Sequence, residues 1–133
     1  METRGKSYRV LIVDDVPTVR ESLHWLLDDE RDLAVVGEAE NGVQAIQRAR
    51  ELEPDVVILD VELPELDGYQ VARQLKTFPH PPLVIFLSVH VDALSRERGK
   101  QSGGDGFVAK SDGWSALITQ IRDVLTARGS LEI

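Results

Sequence analysis

The chain has 133 residues and a mass of 14.8 kDa, enough for one domain that buries roughly 70% of its unfolded surface. It contains no cysteine, which excludes disulfides and thiolate metal sites and is typical of a reducing compartment. Its 23 acidic and 15 basic side chains give a formal charge of −8, so we expect no nucleic-acid binding by this chain alone.

The N-terminal sequence and the length of the apolar runs argue against secretion and membrane insertion. The opening residues METRGKSYR lack the apolar core of a signal peptide. No apolar run approaches the roughly 18 residues of a membrane-spanning helix. We therefore expect a cytoplasmic protein with no membrane partner.

Apolar runs and amphipathic segments alternate along the chain and predict five strand–helix pairs. The strands are predicted at 8–13, 33–39, 55–60, 82–88 and 106–110. Their near-continuous apolar character is typical of parallel strands buried on both faces. Five successive pairs predict an α/β fold, in which helices with right-handed crossovers cover both faces of a doubly wound parallel sheet.

The spacing of apolar residues predicts the helices between these strands. Asn41 and Gly42 are expected to form the turn and cap of the second helix, and Ser111 the N-cap of the last. The fourth helix, within 91–104, has apolar residues only at its beginning, so we expect it to be short or mobile. The apolar positions are Val19, Leu23, Leu26 and Leu27 in the first helix, Val43, Ile46 and Ala49 in the second, Val71 and Leu75 in the third, Val91, Ala93 and Leu94 in the fourth, and Trp114, Leu117, Ile118, Ile121, Val124 and Leu125 in the fifth.

Polar side chains follow four of the predicted strands at their carboxyl ends, which meet at one crevice in such a sheet. Asp14 and Asp15 follow the first strand, and Asp60 ends the third. Carboxylates this close raise one another's pKa unless a cation neutralises them, and Mg2+ suits oxygen ligands. Ser88 and Lys110 end the fourth and fifth strands.

Each of these features has a simpler explanation when it is taken alone. The Asp14–Asp15 pair is equally compatible with a solvated turn or a helix N-cap, and Lys110 with an ordinary surface lysine. Their joint placement at the ends of four strands favours a metal-dependent site.

Four segments of the sequence resemble the receiver domain of two-component response regulators. They are LIVDD at 11–15, DVVILDVELPELDG at 55–68, VIFLS at 84–88 and GGDGFVAK at 103–110. Two further segments, VVGEAENG at 35–42 and LSVH at 87–90, are most similar to the subgroup that carries a C-terminal helix-turn-helix output domain and regulates transcription.

The resemblance implies a fold and a set of boundaries. It implies a flavodoxin-like sheet of five parallel strands in the order 2-1-3-4-5. Residues 8–128 would form the receiver domain, residues 1–7 an N-terminal tail, and residues 129–133 a C-terminal tail or the start of a linker. The chain could be a natural single-domain regulator or a fragment of a longer one.

Residue by residue, the resemblance also implies a phosphoacceptor site. Asp60 would accept a phosphoryl group from the phosphohistidine of a sensor histidine kinase. Asp14 and Asp15 would hold Mg2+ together with Asp60 and the backbone carbonyl of Glu62. Lys110 would pair with the phosphoryl group.

Phosphorylation is expected to act as a switch in this family. The Ser88 hydroxyl would hydrogen-bond a phosphoryl oxygen, and Phe107 would be the aromatic side chain whose position reports that contact. The fourth helix, fifth strand and fifth helix would form the face that changes, where a second copy or an output partner binds. Our hypothesis is that Glu62 and His90 tune the lifetime of the phosphorylated form.

Two other functions remain open at this stage. A Mg2+-dependent phosphohydrolase with an aspartyl-phosphate intermediate needs a similar acid cluster, but its two acids lie two residues apart after the first strand, a pattern absent from VLIVDDVPT at 10–18. The second alternative is a receiver-like binding module that is never phosphorylated. The complete set of acids, serine and lysine favours a phosphorylated receiver, which is not an enzyme beyond accepting and losing its own phosphoryl group.

Overall fold

In the computed structural model, which describes residues 7–90 and 92–129, strands and helices alternate along the chain. The elements are β1 (Tyr8–Val13), α1 (Pro17–Asp28), β2 (Leu33–Ala39), α2 (Gly42–Leu52), β3 (Val56–Asp60), α3 (Gly68–Leu75), β4 (Leu83–Ser88), α4 (Ala93–Gln101), β5 (Gly106–Ala109) and α5 (Trp114–Arg128). The strands form one parallel sheet in the order β2-β1-β3-β4-β5. This confirms the predicted fold class and strand order.

The sheet is covered by apolar layers on both faces. Alternate residues of β1 point to opposite faces, as the period of a strand requires, so Val10 and Ile12 join one layer while Leu11 and Val13 join the other. Helices α1 and α5 complete the first layer, and α2 and α3 complete the second. Burial on both faces explains why the strands are continuous apolar runs.

The predicted strand boundaries are correct to within one residue. The strands β1 and β2 have the predicted bounds, while β3 and β4 begin one residue later and β5 ends at Ala109. Lys110 opens a short 3-10 turn that runs from Lys110 to Asp112. Within the described parts of the chain, no helix is both long and apolar enough to span a bilayer.

The two predicted helix caps have different outcomes. Asn41 caps α2 as expected, because its side chain accepts a hydrogen bond of 2.8 Å from the backbone N–H of Gln44. Ser111 is not the cap of α5, since it lies in the 3-10 turn and the helix begins at Trp114. Gly113 precedes that helix with φ 85, a backbone conformation that favours glycine.

Helix α4 is short, as predicted, but its expected apolar contacts are wrong. It has nine residues, and the one that is buried is Gly99. Ala93 and Leu94 are exposed, Leu94 to 72%, and Val91 lies outside the described residues. Val43 of α2 also lies outside the core. The mobility of α4 stays a prediction.

Candidate metal centre at the carboxyl edge of the sheet

Three carboxylates converge where β1 and β3 end side by side. Asp14 and Asp15 directly follow β1, Asp60 is the last residue of β3, and these strands are hydrogen-bonded neighbours. Each side chain offers one oxygen, and these oxygens all lie within 4.8 Å of one another. Asp14 and Asp60 are buried, with 1% and 4% exposure, while Asp15 is exposed.

Backbone N–H groups orient the two buried carboxylates. Asp14 Oδ1 accepts a hydrogen bond of 2.9 Å from the N–H of Val16, and Asp60 Oδ1 accepts one of 3.2 Å from Glu62. The second oxygen of Asp14, Oδ2, is buried and accepts no hydrogen bond of normal geometry from the described residues. A buried oxygen in this state needs a cationic neighbour.

Lys110 supplies a positive charge to the cluster. Its Nζ lies 3.0 Å from Asp14 Oδ2 and 3.4 Å from Asp60 Oδ2. Burial lowers the pKa of Lys110, but the contact with Asp14 and the negative charge of Asp60 outweigh it, so the pKa lies above its ordinary value. The lysine therefore remains protonated, and its positive charge offsets the negative charge of one of the three carboxylates.

The pKa of Asp60 is raised to about 6. Burial is the main cause and the negative charge of Asp14 adds to it, while Lys110 and the N–H of Glu62 act in the opposite direction. The expectation that these acids raise one another's pKa is thus confirmed for Asp60. Three carboxylates against one ammonium group leave an excess of negative charge that suits a divalent cation with oxygen ligands.

Helix α3 packs directly against the backbone of Asp60. Gly68 donates its N–H to the carbonyl of Val61 at 2.8 Å. A Cβ at position 68 would lie 2.4 Å from the carbonyl oxygen of Asp60, so a larger residue would push the helix away. Asp67 caps the helix by accepting a hydrogen bond from Gln70 at 2.9 Å. The Asp67–Gly68 pair therefore allows α3 to begin in direct contact with the backbone of Asp60.

The two predicted switch residues, Ser88 and Phe107, lie on the neighbouring strands β4 and β5. Ser88 is buried at the end of β4, and its Oγ accepts the N–H of His90 at 2.9 Å, which leaves its O–H available as a donor. Phe107 lies on β5, where its ring centroid is 6.2 Å from that of Phe86. It faces the region of Gly99 on α4.

Glu62 and His90, which the sequence singled out separately, form one pair at the surface. Oε2 of Glu62 lies 2.8 Å from Nε2 of His90, and both side chains are more than half exposed. The pair joins the loop after β3 to the loop after β4. Sequence reasoning found both residues but not their contact.

Arg20 is a positioning residue that sequence reasoning missed. Its guanidinium donates to the backbone carbonyl of Asp14 at 2.6 Å and contacts Glu38 at 3.1 Å. Arg20 therefore ties α1 to the end of β1, where the acids lie. The sequence shows only a basic residue five positions after Asp15. This spacing is too common to indicate a contact with the acids.

Comparisons with known proteins agree with this geometry. The profile of the "Response regulator receiver domain" family matches residues 10–122. The transcriptional regulatory protein YdfI of Bacillus subtilis is 38% identical over 110 residues, or 83% of this chain and 51% of YdfI. The response regulator GacA of Pseudomonas viridiflava is 36% identical over 121 residues, which cover 90% of this chain and 56% of GacA. The chain thus spans about half the length of these curated relatives.

A solved structure supports the same assignment. The response regulator domain of Thermotoga maritima CheB has a TM-score of 0.84 and 30% sequence identity, with 91% of this chain and 98% of that chain covered.

Proposed function

This chain belongs to the response regulator receiver domain family, and on that premise we propose that Asp60 accepts a phosphoryl group from a sensor histidine kinase in a Mg2+-dependent reaction. The observation that carries the proposal is the acid cluster, in which one oxygen each of the buried Asp14 and Asp60 and of the exposed Asp15 lie within 4.8 Å of one another. Lys110 contacts two of these carboxylates. A nucleophile, a cation site and a fixed ammonium group are what phosphoryl transfer needs.

Asp60 would act as the nucleophile without a general base. Its pKa of about 6 leaves the carboxylate ionised at neutral pH, so no proton has to be removed. A carboxylate oxygen forms a bond to phosphorus, the bond from phosphorus to the imidazole nitrogen of the kinase breaks, and the electron pair leaves with that nitrogen. The ammonium of Lys110 neutralises charge on the phosphoryl oxygens.

The residues of the cluster fit a Mg2+ ion. Asp14, Asp15, Asp60 and the backbone carbonyl of Glu62 would hold it. The buried Asp14 Oδ2 supports this, because it accepts no hydrogen bond of normal geometry from the described residues and its close cationic neighbour is Lys110, at 3.0 Å. All these donors are oxygens, as the ion prefers. When bound, Mg2+ would offset the negative charge that gathers on the phosphoryl oxygens.

Phosphorylation would change the face formed by α4, β5 and α5. The modification adds negative charge and acceptor oxygens, which attract the Ser88 hydroxyl and Lys110. Phe107 follows the movement of Ser88, and α4 responds because Gly99, its buried residue, packs against Phe107. A second copy or an output partner would bind the altered face, and the names of the relatives suggest transcriptional control as the output.

Glu62 and His90 would tune the lifetime of the phosphorylated form. The contact between their side chains lies next to Ser88, whose Oγ accepts the N–H of His90. The pair therefore controls the approach of water to the phosphoryl group. Replacing either residue by glutamine should change the dephosphorylation rate, and an unchanged rate in either variant would contradict this role.

The domain would be a substrate of its kinase and not a turnover enzyme. Incubation with acetyl phosphate and Mg2+ should add one phosphoryl group, detected by mass spectrometry of the intact protein and mapped to Asp60. Removal of Mg2+ with a chelator, or the substitution Asp60→Asn, should abolish the addition. Multiple turnovers of a phosphate monoester would favour a phosphohydrolase, and no addition at all would favour a constitutive binding module.

A further inference from the structure

A cleft of about 480 Å3 opens beside the acid cluster. Asp15, Glu62 and Ser88 border it on the side of the phosphoacceptor, and α4 contributes Ser95 and Arg98 to its wall. Clefts that hold small ligands have volumes of about 300 to 1,000 Å3. This cleft is therefore large enough to receive the part of a phosphodonor that extends beyond its phosphoryl group.

Arg98 is held in place at this cleft by an aromatic ring. Its guanidinium carbon lies 4.4 Å from the ring centroid of Tyr69, a cation–π geometry. Tyr69 is itself fixed, since it is 4% exposed and its hydroxyl donates to the carbonyl of Ser95 at 3.2 Å. The charge of Arg98 is thus presented at the wall of the cleft by a rigid support.

Arg98 has no acidic partner among residues 7–90 and 92–129, in contrast to Lys76 and Arg122. Lys76 pairs with Asp105 at 2.7 Å, and Arg122 pairs with Asp32 at 2.6 Å. In a chain with a formal charge of −8, an arginine without a carboxylate partner is available for an external anion.

The acids that line the same cleft already have other contacts. The carboxylate of Glu62 lies 2.8 Å from His90, and that of Asp67 accepts the N-cap hydrogen bond of α3 from Gln70 at 2.9 Å. Asp15 belongs to the acid cluster. Arg98 therefore provides the charge in the cleft that an incoming anion can use.

We propose that this cleft is a leaving-group subsite and that Arg98 makes it selective for acyl phosphates, whose leaving group is a carboxylate. The inference rests on the proposed role of Asp60. A carboxylate oxygen of Asp60 bonds to phosphorus, the bond between phosphorus and the bridging acyl oxygen breaks, and the electron pair leaves on the carboxylate, toward Arg98. With phosphoramidate, the phosphorus–nitrogen bond breaks and neutral ammonia leaves from the protonated amine.

The test compares these two donors on the full chain. Initial rates of phosphorylation are measured by intact-protein mass spectrometry with acetyl phosphate and with phosphoramidate, both in Mg2+. For Arg98→Gln, the rate with acetyl phosphate should fall about threefold to fivefold, the effect of one solvent-exposed ionic contact, while the rate with phosphoramidate stays unchanged. Arg98→Lys keeps the charge and should lose less.

Lys100→Gln is the matched control, because Lys100 is an exposed cation of α4 that lines a different groove. It should leave both rates unchanged. Equal losses with both donors in Arg98→Gln would mean that Arg98 only holds α4 against Tyr69, and this would overturn the inference, as would no loss with either donor. Both results leave the role of Asp60 intact. If the unsubstituted chain accepts phosphate from neither donor, the proposed function fails as well.

Discussion

Helices α4 and α5 both pack beside β5, but they are attached to the rest of the molecule in different ways. Helix α5 buries Leu117, Ile121, Val124 and Leu125 against the sheet, whereas α4 buries Gly99 alone among its residues. Burial of a large aliphatic side chain stabilises by about 1.5 to 3 kcal/mol, and a glycine has no side chain to bury. One helix is therefore part of the core, and the other lies on its surface.

Polar contacts take the place of apolar burial in α4. Arg98 lies over the ring of Tyr69, and Arg73 of α3 donates to Ser102, which follows α4, at 3.0 Å. A cation–π contact at an exposed site contributes about 0.5 to 1 kcal/mol, and the partly buried hydrogen bond joins α3 to the residue after α4 and not to the helix itself. The difference between the two helices shows how one face of a receiver can combine a fixed part with a part that changes position at low cost.

Truncation of a buried side chain in α5 should have the largest effect. Leu117 is fully buried, so Leu117→Ala should lower the free energy of unfolding by about 3 kcal/mol through lost burial and a cavity. Leu94→Ala in α4 is the matched substitution at a site with 72% exposure, and it should change stability by less than about 0.5 kcal/mol. Urea denaturation measures both, and similar losses would contradict the comparison.

The two helices should also differ in how readily they open locally, and we expect this effect to be smaller than the difference in stability. Backbone amides of α4 should exchange with solvent about tenfold to a hundredfold faster than those of α5, because few buried contacts oppose opening of α4. Hydrogen exchange read out by mass spectrometry on peptides from each helix measures the difference. Equal protection would show that the polar contacts of α4 hold it as firmly as the aliphatic side chains hold α5.

An ion-pair network attaches α5 in a second way, with a smaller expected effect. Arg122 contacts Asp32 and Glu30, both at 2.6 Å. The hydrogen bond from Arg122 is the main cause that holds the pKa of Asp32 below its ordinary value of 3.8, against the opposing effect of burial. Arg122→Gln should lower stability at neutral pH by about 1 kcal/mol, since the pair is partly exposed.

The pH dependence of that loss follows from the direction of the shift. A carboxyl group with a lowered pKa in the folded state stabilises the fold above its unfolded pKa, here 3.8, and this contribution disappears as the pH falls through the folded value. The stability difference between Arg122→Gln and the unsubstituted chain should therefore shrink as the pH falls below about 4. A difference that is constant down to pH 2 would exclude the ionic contribution of Asp32.

Most of the sheet could be predicted from the sequence because its signal is local. Burial on both faces forces a continuous apolar run, so the bounds of β1 and β2 were predicted correctly. The convergence of Asp14, Asp15 and Asp60 was also predictable, since neighbouring parallel strands end at the same edge of a sheet. Both inferences need only strand periodicity and topology.

The attachment of α4 could not be predicted in the same way. Its apolar residues Ala93 and Leu94 suggested contacts with the sheet, but both are exposed. The contact of Arg98 with Tyr69 joins positions far apart in the sequence, and no local pattern indicates it. The mistaken cap at Ser111 has a related cause, because the backbone of Gly113 decides where α5 begins.

Hydrogen exchange before and after phosphorylation tests most directly whether the two helices differ in function as they do in attachment. The chain is compared in Mg2+ with and without acetyl phosphate, with Asp60→Asn as the control that should not respond. We predict that exchange changes more in peptides covering α4 and Phe107 than in peptides covering Leu117 to Leu125 of α5. A response confined to α5, or an equal response in the Asp60→Asn variant, would contradict the account.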